Sequence, residues 1–379
     1  YQSLTGHPDI VGSVLPNVFG KVFRAEPIPV DDARQIFQVH SREVDSIVQL
    51  YEGGGTDVAF NAAFTDWKTF MAASTPPETY DTLICPAGSF VRLGHQATKP
   101  VTLDVQGDAF GSYVDTAGGV VRRFVTQFGS PENRLADPSA LDTSAFSALD
   151  TADSSTVGYY AREEITRADL AAVILRSINA VGYFRRDNGK LSVRRNEGAT
   201  GTPVLTLTER DVAGGKLEPV DVDLPIGSVR VAYAKCWRVH SDTEVVSLIT
   251  GTITSAQRSF VGHEWRFVDR PRQSTVDKYP SAGQLYVETA LQDEADAVAL
   301  ADFLLSLFDD KGRAFAAVCR SRGYQLDRFD VVSLEYQDLD ALGQRQDRLG
   351  TGPGLDFLVL GFEQDEIAGE TTLTLWRED

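Results

Sequence analysis

Short runs in which apolar and polar residues alternate dominate the chain, and they predict strands. Ile36–His40 and Val44–Tyr51 read as two strands around a Ser41-Arg42 turn, and Val101–Val105 alternates with the period of a half-buried strand. Gly53-Gly54-Gly55 breaks the pattern. Phe64–Ala73 reads as one short helix stopped by Pro76-Pro77, because proline donates no backbone hydrogen bond. Arg122–Val125 opens another element. Pro131–Thr156 is rich in Ser, Asp, Ala and Thr and contains SALDT twice, and reads as a connecting segment with one or two helical turns.

The period changes at Thr166. Thr166 with Asp169 makes an N-cap signal, and Leu170, Val173, Ile174, Ile178 and Val181 follow on one helical face. Gly182 is placed as the left-handed residue that ends the helix. Tyr183–Arg186 and Lys190–Arg195 flank Asp187-Asn188-Gly189, a hairpin turn because Asn-Gly tolerates positive φ. Strands return at Ser228–Ala234, Val245–Ile253 and Glu264–Val268. A second helix is predicted from Thr289, with Gln292 completing a capping box, to about Phe308, with Gly312 closing it. Asp330–Tyr336, Asp356–Gln364 and Thr371–Trp376 read as an antiparallel meander.

The pattern therefore describes a β-rich α+β chain. Residues 1–130 form a first β-rich region and residues 131–210 a linker with a small helix-plus-hairpin module. Residues 211–379 form a second β-rich region with one amphipathic helix. Length agrees, since 379 residues suggest two or three domains.

Charge narrows the partners. Lys and Arg number 36 against 54 Asp and Glu, a net charge of −18, which repels nucleic acid and anionic membranes and excludes a general DNA binder. No apolar run reaches the roughly 20 residues of a membrane helix, and no signal peptide is visible. Cys85, Cys236 and Cys319 lie far apart, which argues against a disulfide framework or a zinc ribbon and fits synthesis in a reducing compartment. The chain opens at Tyr1 rather than Met, which reads as processing or as part of something longer.

Candidate chemistry is sparse. His7, His40, His95, His240 and His263 are scattered, and His263-Glu264 is not followed by the second histidine a zincin helix needs. The chain has neither a G-x-S-x-G elbow nor a P-loop. Carboxylates are too many for sequence to select a glycosidase pair. Trp67, Trp237, Trp265 and Trp376 are candidates for core or interface, with sugar stacking as the alternative. One cluster stands out in this acidic chain: Arg185, Arg186, Lys190, Arg194 and Arg195 on the hairpin. Either it is a solvated hairpin or it meets an acidic neighbour, such as another copy of the chain.

Several segments resemble tail proteins of bacteriophages with long, non-contractile tails. They are Leu15-Pro16-x-Val18-x-Gly20, Asp31-x-Ala33–His40 and Tyr51-x-Gly53-Gly54, then the Thr166-to-Arg195 helix and hairpin. The ending is similar too: Asp330-Val331-Val332 with Leu334 and Tyr336, Leu358–Gly361, and Thr372–Trp376. These are structural residues, and members of that family carry a further region ahead of the match. The resemblance implies a siphovirus-like tail-tip or baseplate hub, with two barrel-like β domains per chain in a homotrimer of near-sixfold symmetry. It further implies a virion protein at the distal end of the tail, made in the host cytoplasm. Its partners would be the distal tail or tube-end protein, tip or fibre proteins, the tape-measure protein and phage DNA in transit, without membrane insertion. Some related tail proteins hold iron–sulfur centres on closely grouped cysteines, but Cys85, Cys236 and Cys319 are not spaced for a cluster, so no metal or cofactor is expected. The matching residues are structural rather than catalytic. Rival readings are a receptor- or sugar-binding module and a cell-wall hydrolase.

Overall fold

A computed structural model describes residues 14–137, 139–199, 201–220, 225–246, 254–308, 312–336, 338–339, 345–346, 355–365 and 367–378. Two large curled sheets flank a mixed layer of helices and short strands. The first sheet has nine strands, in the order Ile28–Asp31, Ile36–His40, Gly88–Leu93, Thr79–Cys85, Thr56–Phe64, Val44–Glu52, Val101–Asp108, Asn17–Ala25 and Gly158–Ala161. Its alternating sequence sends Val18, Val22, Leu50, Val91, Leu103 and Val105 into one interior. The sheet curls until its Asn17–Ala25 and Ile36–His40 strands meet. There Val18 N–H donates to His40 Nδ1 at 2.9 Å, and Ser41 N–H donates to the Pro16 carbonyl at 2.9 Å. On the outside, the Trp67–Ala72 helix starts at Asp66, whose Oδ2 accepts from Thr69 N–H at 2.8 Å. It places Phe70 against Leu83 and Phe90.

The mixed layer contains the helices Ala117–Gln127, Thr143–Ala152, Arg167–Arg176 and Glu294–Leu307. It also contains the Ala180–Phe184/Leu191–Arg195 hairpin and a three-stranded sheet of Arg266–Pro271, Ile226–Tyr233 and Gly283–Glu288. Phe124, Phe146, Ile174, Val231 and Leu300 share one core, so segments far apart in sequence are buried together. Phe19 of the first sheet enters the same core.

The last sheet has six strands, in the order Leu205–Thr208, Val331–Glu335, Leu355–Asp365, Glu370–Glu378, Gly312–Cys319 and Val212–Val220. Its two edge strands are consecutive in the chain, and Asp211 N–H donating to the Thr208 carbonyl tightens the turn between them. Phe315, Leu334, Phe357 and Leu373 fill its interior. The fold is β-rich α+β with two barrel-like sheets, as the sequence and the resemblance led us to expect.

Some elements differ from expectation. Val245-Val246 belong to a short helix, Asp242–Val246, and the rest of the strand expected at 245–253 lies outside the described residues. The Arg122–Val125 segment lies inside the Ala117–Gln127 helix, and the 131–156 connection contains a ten-residue helix, Thr143–Ala152. Thr166 caps its helix as read, but the helix stops at Arg176. Gly182 sits within a strand, and Asn179 takes the positive φ of 55° after the helix. Thr289 and Gln292 cap nothing. Thr289 Oγ1 donates to the Ala232 carbonyl at 2.7 Å and Gln292 Nε2 to the Ala290 carbonyl at 2.8 Å, and the helix begins only after Asp293. Gly312 opens a strand rather than closing that helix.

Candidate functional site

The basic hairpin turns as the Asp-Asn-Gly sequence requires. Gly189 has φ +70°, Asn188 Oδ1 accepts from Lys190 N–H at 3.0 Å, and Gly189 N–H donates to the Arg185 carbonyl at 2.8 Å. The turn sets the four arginines beside carboxylates of this same chain. Arg185 donates to both oxygens of Asp187 at 2.8 and 2.9 Å and to Asp142 Oδ2 at 3.0 Å. Those bonds hold the Asp187 carboxyl below its ordinary value and the Arg185 guanidinium above its own.

Arg194 reaches Asp330 Oδ1 at 2.7 Å. Arg195 reaches Asp153 Oδ2 at 3.1 Å, donates to the Ile178 carbonyl and lies 4.4 Å from the centre of the Phe303 ring. Arg186 stacks 3.5 Å above the centre of the Phe362 ring, donates to the Tyr324 carbonyl at 3.3 Å, and stands 4.0 Å from Asp327. Lys190 makes no ion pair with the described residues.

Between the hairpin and the last sheet lies a cleft of about 610 Å3, lined by Arg185, Arg186, Arg194, Asp187, Asp327 and Asp330 among others. Its three cations face three carboxylates. Burial, reinforced by the neighbouring Asp330, raises the Asp327 carboxyl against the pull of Arg186. The arrangement works as a clamp that fixes the mixed layer to the six-stranded sheet.

His40, His95 and His263 hold structure, and His240 is buried beside Gly54. His40 is fully buried between Val18 N–H and Asp108, whose carboxylate also takes Arg42 at 3.0 Å and Arg123 at 2.7 Å. Burial alone would raise Asp108; the bonds from His40 and Arg123 outweigh it and hold the carboxyl low. His95 pairs with Glu52 at 2.8 Å. His263 follows a helix rather than sitting in a strand, and its Nδ1 meets the Ser259 carbonyl at 2.8 Å. His7 lies outside the described residues. Among the described residues no group of three His, Cys, Asp or Glu is placed to hold a metal, and no helix is long and apolar enough to cross a membrane. Cys85, Cys236 and Cys319 are buried free thiols, with burial pushing Cys236 up to about 11 and Cys319 up to about 12.

The basic cluster is visible in the sequence, but its acidic partners come from positions as distant as Asp142, Asp153, Asp327 and Asp330. The His40–Asp108–Arg123 knot leaves no local sequence signal, because its members are separated by intervals of 68 and 15 residues.

This architecture defines a β-rich protein of two barrel-like sheets joined through a mixed layer. A chain of the native gene transfer agent virion shares it, with 14% identity and a TM-score of 0.51 over 97% of this chain and 85% of that one. A 43 kDa tail protein of prophage MuSo2 from Shewanella oneidensis is 9% identical over 95% of this chain and 94% of that one, with a TM-score of 0.34. A tail protein from Neisseria meningitidis MC58 is 14% identical over 76% of each chain, with a TM-score of 0.33. No protein-family profile and no curated protein sequence matches the chain. At these identities the likeness to the virion chain is one of fold.

Proposed function

We propose that the chain is a structural component of a phage-type tail, acting as a hub at the tail tip. The observation that carries the reading is the shared fold with a virion chain across nearly the whole length of both molecules. The sequence resemblance to tail proteins and the role of the four hairpin arginines in holding the fold support it. In this reading the nine-stranded and six-stranded sheets supply the two barrel-like halves, and the mixed layer between them joins the two. The hub forms a homotrimeric ring. It connects the tube end to tip or fibre proteins and opens a channel for the tape-measure protein and genome, at the distal end of the virion tail.

A ring of closed symmetry requires a contact between copies. The hairpin carrying Arg185, Arg186, Lys190, Arg194 and Arg195 faces the neighbouring copy in this proposal, and the lumen is acidic. Acidic walls keep a duplex with one charge per roughly 1.7 Å from sticking. The reading assigns the chain no reaction, cofactor or metal. Sizing the purified full chain tests the assembly. Three copies of the 41.4 kDa chain in one particle are expected, and a sixfold ring or a strict monomer at high concentration contradicts the trimer.

A further inference from the structure

The three-stranded sheet of the mixed layer has one face on the shared core and one toward solvent. Val229, Val231 and Val268 turn inward. Their strand neighbours Arg230, Phe267, Asp269 and Tyr286 take the opposite face, because successive strand residues point to opposite sides. Phe267 is 41% exposed and Tyr286 48%, with ring centres 6.4 Å apart. Arg230 lies 4.3 Å over Phe267 and pairs with Asp269 at 3.5 Å, and Tyr286 Oη donates to Glu288 at 3.1 Å.

The aromatic row continues past the end of the sheet. The Lys235 ammonium sits between two indoles, 4.5 Å from the Trp237 ring centre and 5.0 Å from that of Trp265, and Glu264 holds it at 3.0 Å. A recess of about 200 Å3 opens there, bounded by Tyr159, Trp237, Trp265, Arg176 and Glu288. Glu288 belongs to both the recess and the sheet, so the two are continuous.

Size and charge select the occupant. Three strands about 4.8 Å apart and six residues at about 3.4 Å each make a face on the order of 200–300 Å2. That falls well short of the roughly 800 Å2 per partner of a stable protein interface. Arg230 is matched by Asp269 and Lys235 by Glu264, so the patch is close to neutral on a chain of net charge −18. It offers hydrogen-bonding groups already held in place by their ion pairs, and flat aromatic faces that lose little freedom on binding. An uncharged polyhydroxylated ring fits these terms: its C–H face stacks on an aromatic ring while its hydroxyls meet the charged groups.

We propose that the aromatic row Phe267–Tyr286–Trp265–Trp237 binds a neutral oligosaccharide, with one sugar ring in the recess at Lys235 and the next units along the sheet face. This site stands independently of the tail reading. The test titrates the full chain with maltotriose, cellotriose and chitotriose, and with 6′-sialyllactose as a charged arm, reading tryptophan fluorescence and binding heat. Saturable binding of at least one neutral trisaccharide is expected, weakened about tenfold or more by Trp265→Ala and by Tyr286→Ala. Tyr286 is half exposed, so its variant reports even if Trp265→Ala does not fold. Failure of all three neutral sugars to saturate overturns the proposal, as does binding of sialyllactose alone or unchanged affinity in Tyr286→Ala. A concentration-dependent dimer that Phe267→Ala abolishes assigns the face to a second copy and also overturns it.

Discussion

His40 closes the seam of the first sheet, and its replacement tests how much that closure matters. Its Nδ1 faces Val18 N–H, which can only donate, so the neutral ring carries its proton on Nε2 and donates it to Asp108 at 3.2 Å. His40→Ala leaves Val18 N–H without an acceptor, at about 1–3 kcal/mol. It also empties a fully buried ring site, and together the two losses reach about 3–5 kcal/mol. His40→Asn puts an amide oxygen where Nδ1 stands and recovers about 1–2 kcal/mol of that loss.

The pH dependence has a definite sign. Burial outweighs the bond to Asp108 and holds the folded imidazole below its ordinary value, with Arg42 adding to the effect. Protonation therefore favours the unfolded chain, whose histidine titrates near about 6.5. The stability difference between wild type and His40→Asn is present above that pH. It shrinks as pH falls, by at most about 1.4 kcal/mol per unit, until the folded value is reached. Urea unfolding of both proteins at pH 7.5, 6.0 and 5.0 measures it. A cost below about 1 kcal/mol for His40→Ala, or a difference between wild type and His40→Asn that does not change with pH, refutes the reasoning.

Three further outcomes follow from the same geometry. Gly54 has φ +80° and an added Cβ would lie 2.5 Å from the His240 ring, so Gly54→Ala should lower stability by about 2 kcal/mol or more in urea unfolding. The buried thiols should not react with a thiol reagent at pH 8 in the folded chain, and all three should react after denaturation. Arg186→Lys keeps the charge but loses the planar stack on Phe362, and should cost about 1 kcal/mol in thermal or urea unfolding, whereas Arg194→Ala, at a more exposed pair, should cost less than that.

Local signals were legible and long-range ones were not. Ile36–His40 and Val101–Val105 announce themselves by alternation, and Thr166 by the Asp169 three residues on. Thr289 and Gln292 have the same spacing and mislead, because their side chains are spent on carbonyls of other segments. Val245-Val246 read as strand from their β-branched side chains, yet the helix Asp242–Val246 follows Ser241, whose Oγ accepts from Glu244 N–H. Nothing local tells Gly158–Ala161 to pair with Asn17–Ala25, more than a hundred residues earlier. The basic hairpin was visible as a cluster of like charge. Its meaning depends on Asp142, Asp153, Asp327 and Asp330, which only the fold brings to it. Trp237 and Trp265 were each visible, but their meeting around Lys235 depends on the short connection after the Ile226–Tyr233 strand.

A reconstruction of the particle that carries this chain would show where the chain sits and how many copies surround the axis. Three copies in a ring at the distal end of the tail are expected, with carboxylates lining the lumen and the Tyr183–Arg195 hairpin directed toward the next copy. A chain located away from the tail, six copies around the axis, or a lumen lined by Arg185, Arg186, Arg194 and Arg195 would contradict the proposed hub.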